Sequence, residues 1–223
     1  RGFNEMKKIR LIIPYFGKLP KFFPYFLLTA KRNQKIDFLI YTDQNIDQLE
    51  ILNAENIEFK TLSFDDLRKK VQSKFDFEIS LKTPYKLCDY KVAYEFIFEE
   101  ELKGYDYWGF CDTDVLLGDI YQFLEEHSFF ENDYARYGLL GHLQIFKNSQ
   151  EVNHVFMSGQ GLNYRLDYHN VFTSEQNFIF DEAEGIQKLF EKSGFEQLQD
   201  KFFDDIDTSH FSFREYGEDE PKR

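Results

Sequence analysis

Two aspartates one residue apart, Asp112-Thr113-Asp114, follow the apolar run Tyr107-Trp108-Gly109-Phe110-Cys111. Carboxylates at this spacing, where the backbone leaves a strand, offer hard oxygen ligands to Mg²⁺ or Mn²⁺. These ions keep coordination positions open for phosphate oxygens. A metal on Asp112 and Asp114 neutralises and orients a diphosphate leaving group. The plain alternative is a solvated acidic turn that caps the next helix, and Asp119, just before residues 120–124, reads equally well as an N-cap. A second group lies in Pro84-Tyr85-Lys86-Leu87-Cys88-Asp89-Tyr90-Lys91. On a helix Lys86 and Asp89 share a face, and Lys91 lies on another. A lysine near a helix start reaches a phosphate, and an aspartate one turn on accepts from a sugar hydroxyl. Here the alternative is a surface ion pair of little energetic weight.

Two further clusters suit the acceptor of a group transfer. In Gly141-His142-Leu143-Gln144 the glycine lets the backbone approach a ligand closely. His142 then either bonds an acceptor hydroxyl or serves the core. In Phe180-Asp181-Glu182-Ala183-Glu184-Gly185, Asp181 or Glu182 is the candidate base that deprotonates an acceptor hydroxyl. The alternative is acidic charge placed to complement a helix dipole.

The elements that must position these residues alternate. A short apolar run, 9–14, ends at Pro14 and suits a buried strand. Residues 22–32 have helical length, with proline in the first turn. Further strands are expected at 36–42, 57–62 and 107–111. A helix opens at Ser63, with Asp65 and Asp66 in its first turn. A longer helix is expected over 84–102. This pattern is α/β with a mainly parallel sheet flanked by helices. Sites in such sheets lie at the carboxyl ends of strands. Tyr15–Gly17, Thr42–Asp43 and Asp112–Asp114 are thereby gathered into one neighbourhood. Residues 138–147 read as another strand and 184–192 as a helix, whereas 202–213 carry no clear pattern. No composition shift divides the chain, so one domain is expected over residues 1–223.

Composition excludes several classes. The hydrophobic share, 42%, is too high for a disordered chain. With 27 Lys+Arg against 40 Asp+Glu, general nucleic-acid binding is not expected. Two cysteines make neither a disulfide framework nor a zinc site, which suits a reducing cytoplasm. The N-terminal residues do not read as a signal peptide. The longest apolar stretch, 22–30, is too short to span a bilayer. Lys18, Lys21, Lys31, Arg32 and Lys35 surround that stretch, a basic apolar island in an acidic chain. It reads as an ordinary packed amphipathic helix or as a peripheral contact with anionic lipid at the inner face of a membrane.

Taken together, Ile12-Ile13-Pro14-Tyr15-Phe16-Gly17, the Tyr85–Lys91 run and Tyr105-Asp106-Tyr107-Trp108-Gly109-Phe110-Cys111-Asp112-Thr113-Asp114 resemble a family of bacterial GT-A-type glycosyltransferases. That family is found in polysaccharide gene clusters (capsule, O-antigen, exopolysaccharide), and the resemblance covers roughly residues 8–192. It implies a GT-A-like, Rossmann-like sheet with a D-x-D motif after the fourth strand. Residues 8–120 would bind the nucleotide-sugar and 121–223 would face the acceptor. The implied activity moves a sugar from a nucleotide-sugar to a glycan or lipid-linked acceptor, with Mn²⁺ or Mg²⁺ as cofactor. By that likeness Asp112 and Asp114 contact metal and diphosphate. Pro14, Tyr15, Gly17, Lys86, Asp89 and Lys91 serve the donor side, and Thr42 and Asp43 the nucleoside. Members of the family run longer and often draw a third metal ligand, commonly a histidine, from the C-terminal region; here either water or substrate is that ligand or part of the acceptor side is missing. His210 is the one histidine in that region, and nothing in Asp207-Thr208-Ser209-His210-Phe211 supports it as a ligand.

Two rivals differ in class. Phe110-Cys111-Asp112-Thr113-Asp114-Val115 also looks like the first motif of haloacid-dehalogenase-type phosphatases, with Asp204 and Asp205 as a later acidic pair. That motif belongs after a first strand, and Leu116 stands where a threonine is expected. The other rival is a transferase-like protein without turnover, acting as a binding partner.

Overall fold

The computed structural model describes residues 6–47, 54–138, 140–199, 203–207 and 212–216, the last two segments as backbone only. His210 lies outside the described residues, and no side-chain account applies to Asp204 or Asp205.

Seven strands form one sheet: β1 (Ile9–Tyr15), β2 (Ile36–Thr42), β3 (Ile57–Thr61), β4 (Tyr107–Cys111), β5 (Arg136–Tyr137), β6 (Leu143–Lys147) and β7 (Gln197–Leu198). Their order is β3-β2-β1-β4-β6-β5-β7. Pairing is parallel throughout except that β6 runs antiparallel to both β4 and β5. Strands from both halves of the chain thus share one sheet. A separate hairpin joins β8 (Phe203–Asp207) to β9 (Ser212–Tyr216).

Alternation along the strands divides the core in two. Leu11 and Ile13 of β1 face one side with Phe38, Ile40 and Ile145, under helix α1 (Phe23–Arg32) and the helix Ile120–Glu126. Ile12 faces the other side with Leu39, Trp108 and Phe146, under helix α2 (Phe64–Gln72) and segments from 84–102 and 150–190. This is the three-layer arrangement that a twice-buried parallel sheet requires.

The long helix expected over 84–102 is instead a chain of short turns: Pro84–Lys86, Leu87–Tyr90, Lys91–Ala93, Tyr94–Ile97 and Glu99–Leu102. Ala93 (φ −107°, ψ 10°) and Phe98 (φ −115°, ψ 32°) leave helical geometry. Their neighbours' packing supplies the reason. Tyr90 stacks on Phe172 with ring centroids 4.2 Å apart, while Phe98 stacks on Tyr41 at 5.0 Å. Tertiary contacts at both ends override helical propensity, and 3₁₀ turns take up the mismatch. The strand expected over 138–147 begins only at Leu143, after a turn at 140–142. The helix expected over 184–192 splits into an irregular turn, Ala183–Gln187, and the helix Lys188–Ser193.

Candidate functional site

The order β2-β1-β4 reverses the winding of the chain between β1 and β4, and open α/β sheets form a crevice at such a point. Here the pairing across that point is short. β1 pairs with β4 only from Ile9 to Leu11, whereas it pairs with β2 along its whole length. Pro14, which has no N–H to offer a ladder, lies beyond the last pair with β4. Tyr15 and Gly17 follow on one side of the gap, and Asp112 emerges from β4 on the other. Gly17 has φ +90°, a left-handed turn that glycine adopts without strain, and its N–H donates to Asp43 Oδ1 at 3.0 Å. That bond ties the ends of β1 and β2 together. Thr42 is buried, and its hydroxyl accepts from the Gln44 N–H at 3.2 Å, so it shapes the turn rather than facing outward.

The D-x-D backbone is fixed on both flanks. The Asp112 N–H donates to the His142 carbonyl at 2.8 Å, extending the β4–β6 ladder by one rung. Beyond Asp114, the Leu117 N–H donates to Thr29 Oγ1 at 3.1 Å, and Asn33 Nδ2 donates to the Gly118 carbonyl at 2.8 Å. Both anchors belong to α1 and its C-cap. Asp119 accepts from the Gln122 N–H and is the N-cap of the helix Ile120–Glu126.

Around Asp112 the structure gathers residues distant in sequence. Lys91 Nζ lies 2.7 Å from Asp112 Oδ1 and 2.9 Å from Asp181 Oδ2, and donates to the Gly141 carbonyl at 3.0 Å. His142 Nδ1 stands 3.4 Å from Asp112 Oδ2. A Cβ at Gly141 would meet Asp181 Oδ2 at 2.5 Å and Glu182 Oε1 at 3.2 Å. Only glycine therefore lets the acidic pair close over the β6 turn. Asp114 is exposed beside this group.

The electrostatics divide the carboxylates. Burial alone would push Asp112 up, but the His142 hydrogen bond and the Lys91 charge outweigh it and hold Asp112 below the usual aspartate range. Asp181 is 2% exposed, and burial pushes it up to about 6 although Lys91 pulls the other way. Its Oδ1 is buried and has no hydrogen-bond partner among the described residues. The Asp112 hydrogen bond raises His142 above its ordinary value, against the effect of burial. Two carboxylates with environments this different suit two different roles.

Lys86 and Asp89 are placed elsewhere. They form a buried ion pair, Nζ to Oδ2 2.7 Å. Lys86 also donates to the carbonyls of Val171 (3.0 Å) and Gln176. Asp89 accepts from the N–H groups of Phe178 and Phe180 at 2.9–3.1 Å. The pair is neither the exposed contact weighed from its spacing nor a group facing the crevice. It pins the loop that delivers Asp181. Lys91 likewise spends its charge on Asp112 and Asp181 rather than projecting freely toward a donor.

The roles of Arg136 and Gln144 were not expected. Arg136 is fully buried, with Nε and Nη2 on Gln144 Oε1 at 3.1 and 2.9 Å and Nη1 on the side chains of Gln187 and Gln197. Gln144 Nε2 in turn donates to the Asp181 carbonyl. Only the position of Gln144, inside an otherwise apolar strand, signalled a buried polar partner. A second cleft, about 400 Å³, lies at the opposite end of β4, lined by Glu95, Glu99, Asn148 and His154, and contains none of the expected site residues.

Hard carboxylate oxygens at Asp112 and Asp114, one exposed and the other half-exposed, fit a divalent cation by chemistry. Among the described residues no group of three or more His, Cys, Asp or Glu is arranged to hold a metal ion, so substrate and water would complete such a shell. A family model described as a family of unknown function, DUF6625, matches residues 11–223. No curated protein and no solved structure matches the chain.

Proposed function

The chain belongs to the DUF6625 family, a family of unknown function, and from the residues gathered around Asp112 we propose that it is a metal-dependent glycosyltransferase acting on a nucleotide-sugar donor. The observation that carries the reading is the convergence of Asp112, Lys91, His142, Asp181 and Glu182 at the β1–β4 crevice. A crevice at a reversal of strand order is where α/β sheets bind nucleotides, and this one offers both metal-type carboxylates and a buried carboxylate of raised affinity for protons.

Asp112 and Asp114 would hold Mn²⁺ or Mg²⁺, which when bound supplies charge neutralisation for a diphosphate leaving group. Tyr15 and Gly17 border the donor side, with Asp43 fixing the Gly17 turn. Lys91 positions Asp112 against Asp181 and keeps the two carboxylates from repelling each other. Asp181, with Oδ1 unsatisfied, accepts the proton of an acceptor hydroxyl, and Glu182 orients that hydroxyl from the next position.

The test is release of nucleoside diphosphate from a panel of nucleotide-sugars, with and without Mn²⁺ and a glycan acceptor. Release that needs metal, and falls at least a hundredfold in Asp114→Asn with melting unchanged, supports the transferase. Undiminished release in Asp114→Asn contradicts the metal assignment. A partner protein without turnover is the second reading, favoured by the hold of Lys91 on Asp112 Oδ1. Donor binding without any release would select it.

A further inference from the structure

We propose that the outer face of α1, with the loop that follows the D-x-D motif, docks on an anionic lipid bilayer. The inner face of α1 is spent in the core: Phe23, Phe26, Leu27 and Ala30 are buried. Its outer face also carries large apolar side chains. Phe22 is 46% exposed, Tyr25 62% and Leu28 45%. Leu116, 74% exposed, belongs to the same surface, because the Leu117–Thr29 and Asn33–Gly118 hydrogen bonds lay that loop along α1.

Basic residues rim this face. Lys18, Lys21, Lys31 and Arg32 are all exposed, and no acidic residue occurs from Met6 to Ile36, in a chain of net charge −13; the adjoining loop adds two exposed carboxylates, Asp114 and Asp119, so the four cations outnumber them on this face. Helix stability accounts for only part of this placement. Lys31 and Arg32 sit in the last turn, where cations complement the dipole. Lys18 and Lys21 precede the first turn, where cations are unfavourable. Phe22 occupies the N-cap without a side-chain cap bond, where Ser or Asp would stabilise more. What these choices share is complementarity to a surface that is negative outside and apolar beneath.

A bilayer fits better than a second copy of the chain. Two-fold pairing would set one basic rim against another. Charges elsewhere on this acidic molecule are screened beyond about 8 Å at physiological salt, so the local cations govern approach. The proposal does not depend on the transferase reading.

Co-sedimentation with phosphatidylcholine vesicles, with and without phosphatidylglycerol, tests it. Expected is binding to the phosphatidylglycerol vesicles alone, weakened by added NaCl. Each cation removed weakens such binding about fivefold, so Lys18→Gln/Lys21→Gln loses roughly 25-fold. Tyr25→Ser/Leu28→Ser weakens it as well. Lys69→Gln/Lys103→Gln, an equal loss of charge elsewhere, leaves it unchanged. All these side chains are exposed, and unchanged melting confirms that each variant is folded. Absence of vesicle binding, equal binding to phosphatidylcholine alone, or full binding by either α1 variant overturns the proposal. Self-association removed by Tyr25→Ser/Leu28→Ser, without vesicle binding, overturns it in favour of a second copy.

Discussion

Asp181 shows how burial sets the role of a residue. Its folded pKa is raised to about 6 from 3.8, so between those values the native state keeps a proton that the unfolded chain has lost. The contribution of Asp181 to stability therefore falls as pH rises from about 4 to 6, by roughly 3 kcal/mol in all. Asp112 has the opposite sign: its depressed pKa adds stability at neutral pH, which is lost as pH falls through the folded value. Denaturant melts across this range should show the downward slope attributed to Asp181 disappear in Asp181→Asn. If Asp181 is the base, kcat/KM of the wild type rises with pH through about 6, and the same substitution removes that limb. Gly141→Ala is the steric counterpart. Its Cβ would fall 2.5 Å from Asp181 Oδ2, so turnover should drop sharply while far-UV circular dichroism stays native. Wild-type turnover in Gly141→Ala would contradict the placement of Asp181.

At the scale of elements, the sequence was most legible where burial is simple. The strands Ile36–Thr42 and Tyr107–Cys111 fall within their expected bounds because apolar runs in a twice-covered sheet leave little choice. Ser63 and Asp119 cap the helices they precede, as their types imply. The 84–102 segment was illegible because its aromatic rings answer to Phe172 and Tyr41, which local periodicity does not see. Tyr15, Thr42 and Cys111 end at one edge of the sheet, because β1, β2 and β4 run parallel in adjacent positions. The clasp of Lys91 between Asp112 and Asp181 was not foreseen, since it joins three elements far apart in the chain. Neither was the burial of Lys86 and Asp89, whose spacing is the same for an exposed pair. Breaking that buried pair should be costly: Asp89→Ala leaves Lys86 uncompensated and is expected to lose about 3–5 kcal/mol. A guanidinium melt measures this, and a loss under 1 kcal/mol would show that the pair does not hold the 176–180 loop.

Across the whole molecule, the seven-stranded sheet with one reversed strand, the crevice at β1–β4 and the basic face beside it form one arrangement. Among the described residues no helix is long and apolar enough to cross a membrane. The glycosyltransferase assignment stands or falls on a donor that binds at the Asp112–Asp114 end of the crevice. The most direct measurement is a thermal-shift series of nucleotide-sugars, each with and without Mn²⁺, on the wild type, Asp112→Asn and Asp114→Asn. At about 100 times Kd a native-state ligand stabilises by about 2.7 kcal/mol, a rise of several degrees in Tm for a chain of this size. The expected result is such a rise with one class of nucleotide-sugar, dependent on Mn²⁺ and absent in both variants. A cooperative melt that no donor shifts, or a shift that both variants retain, would contradict it.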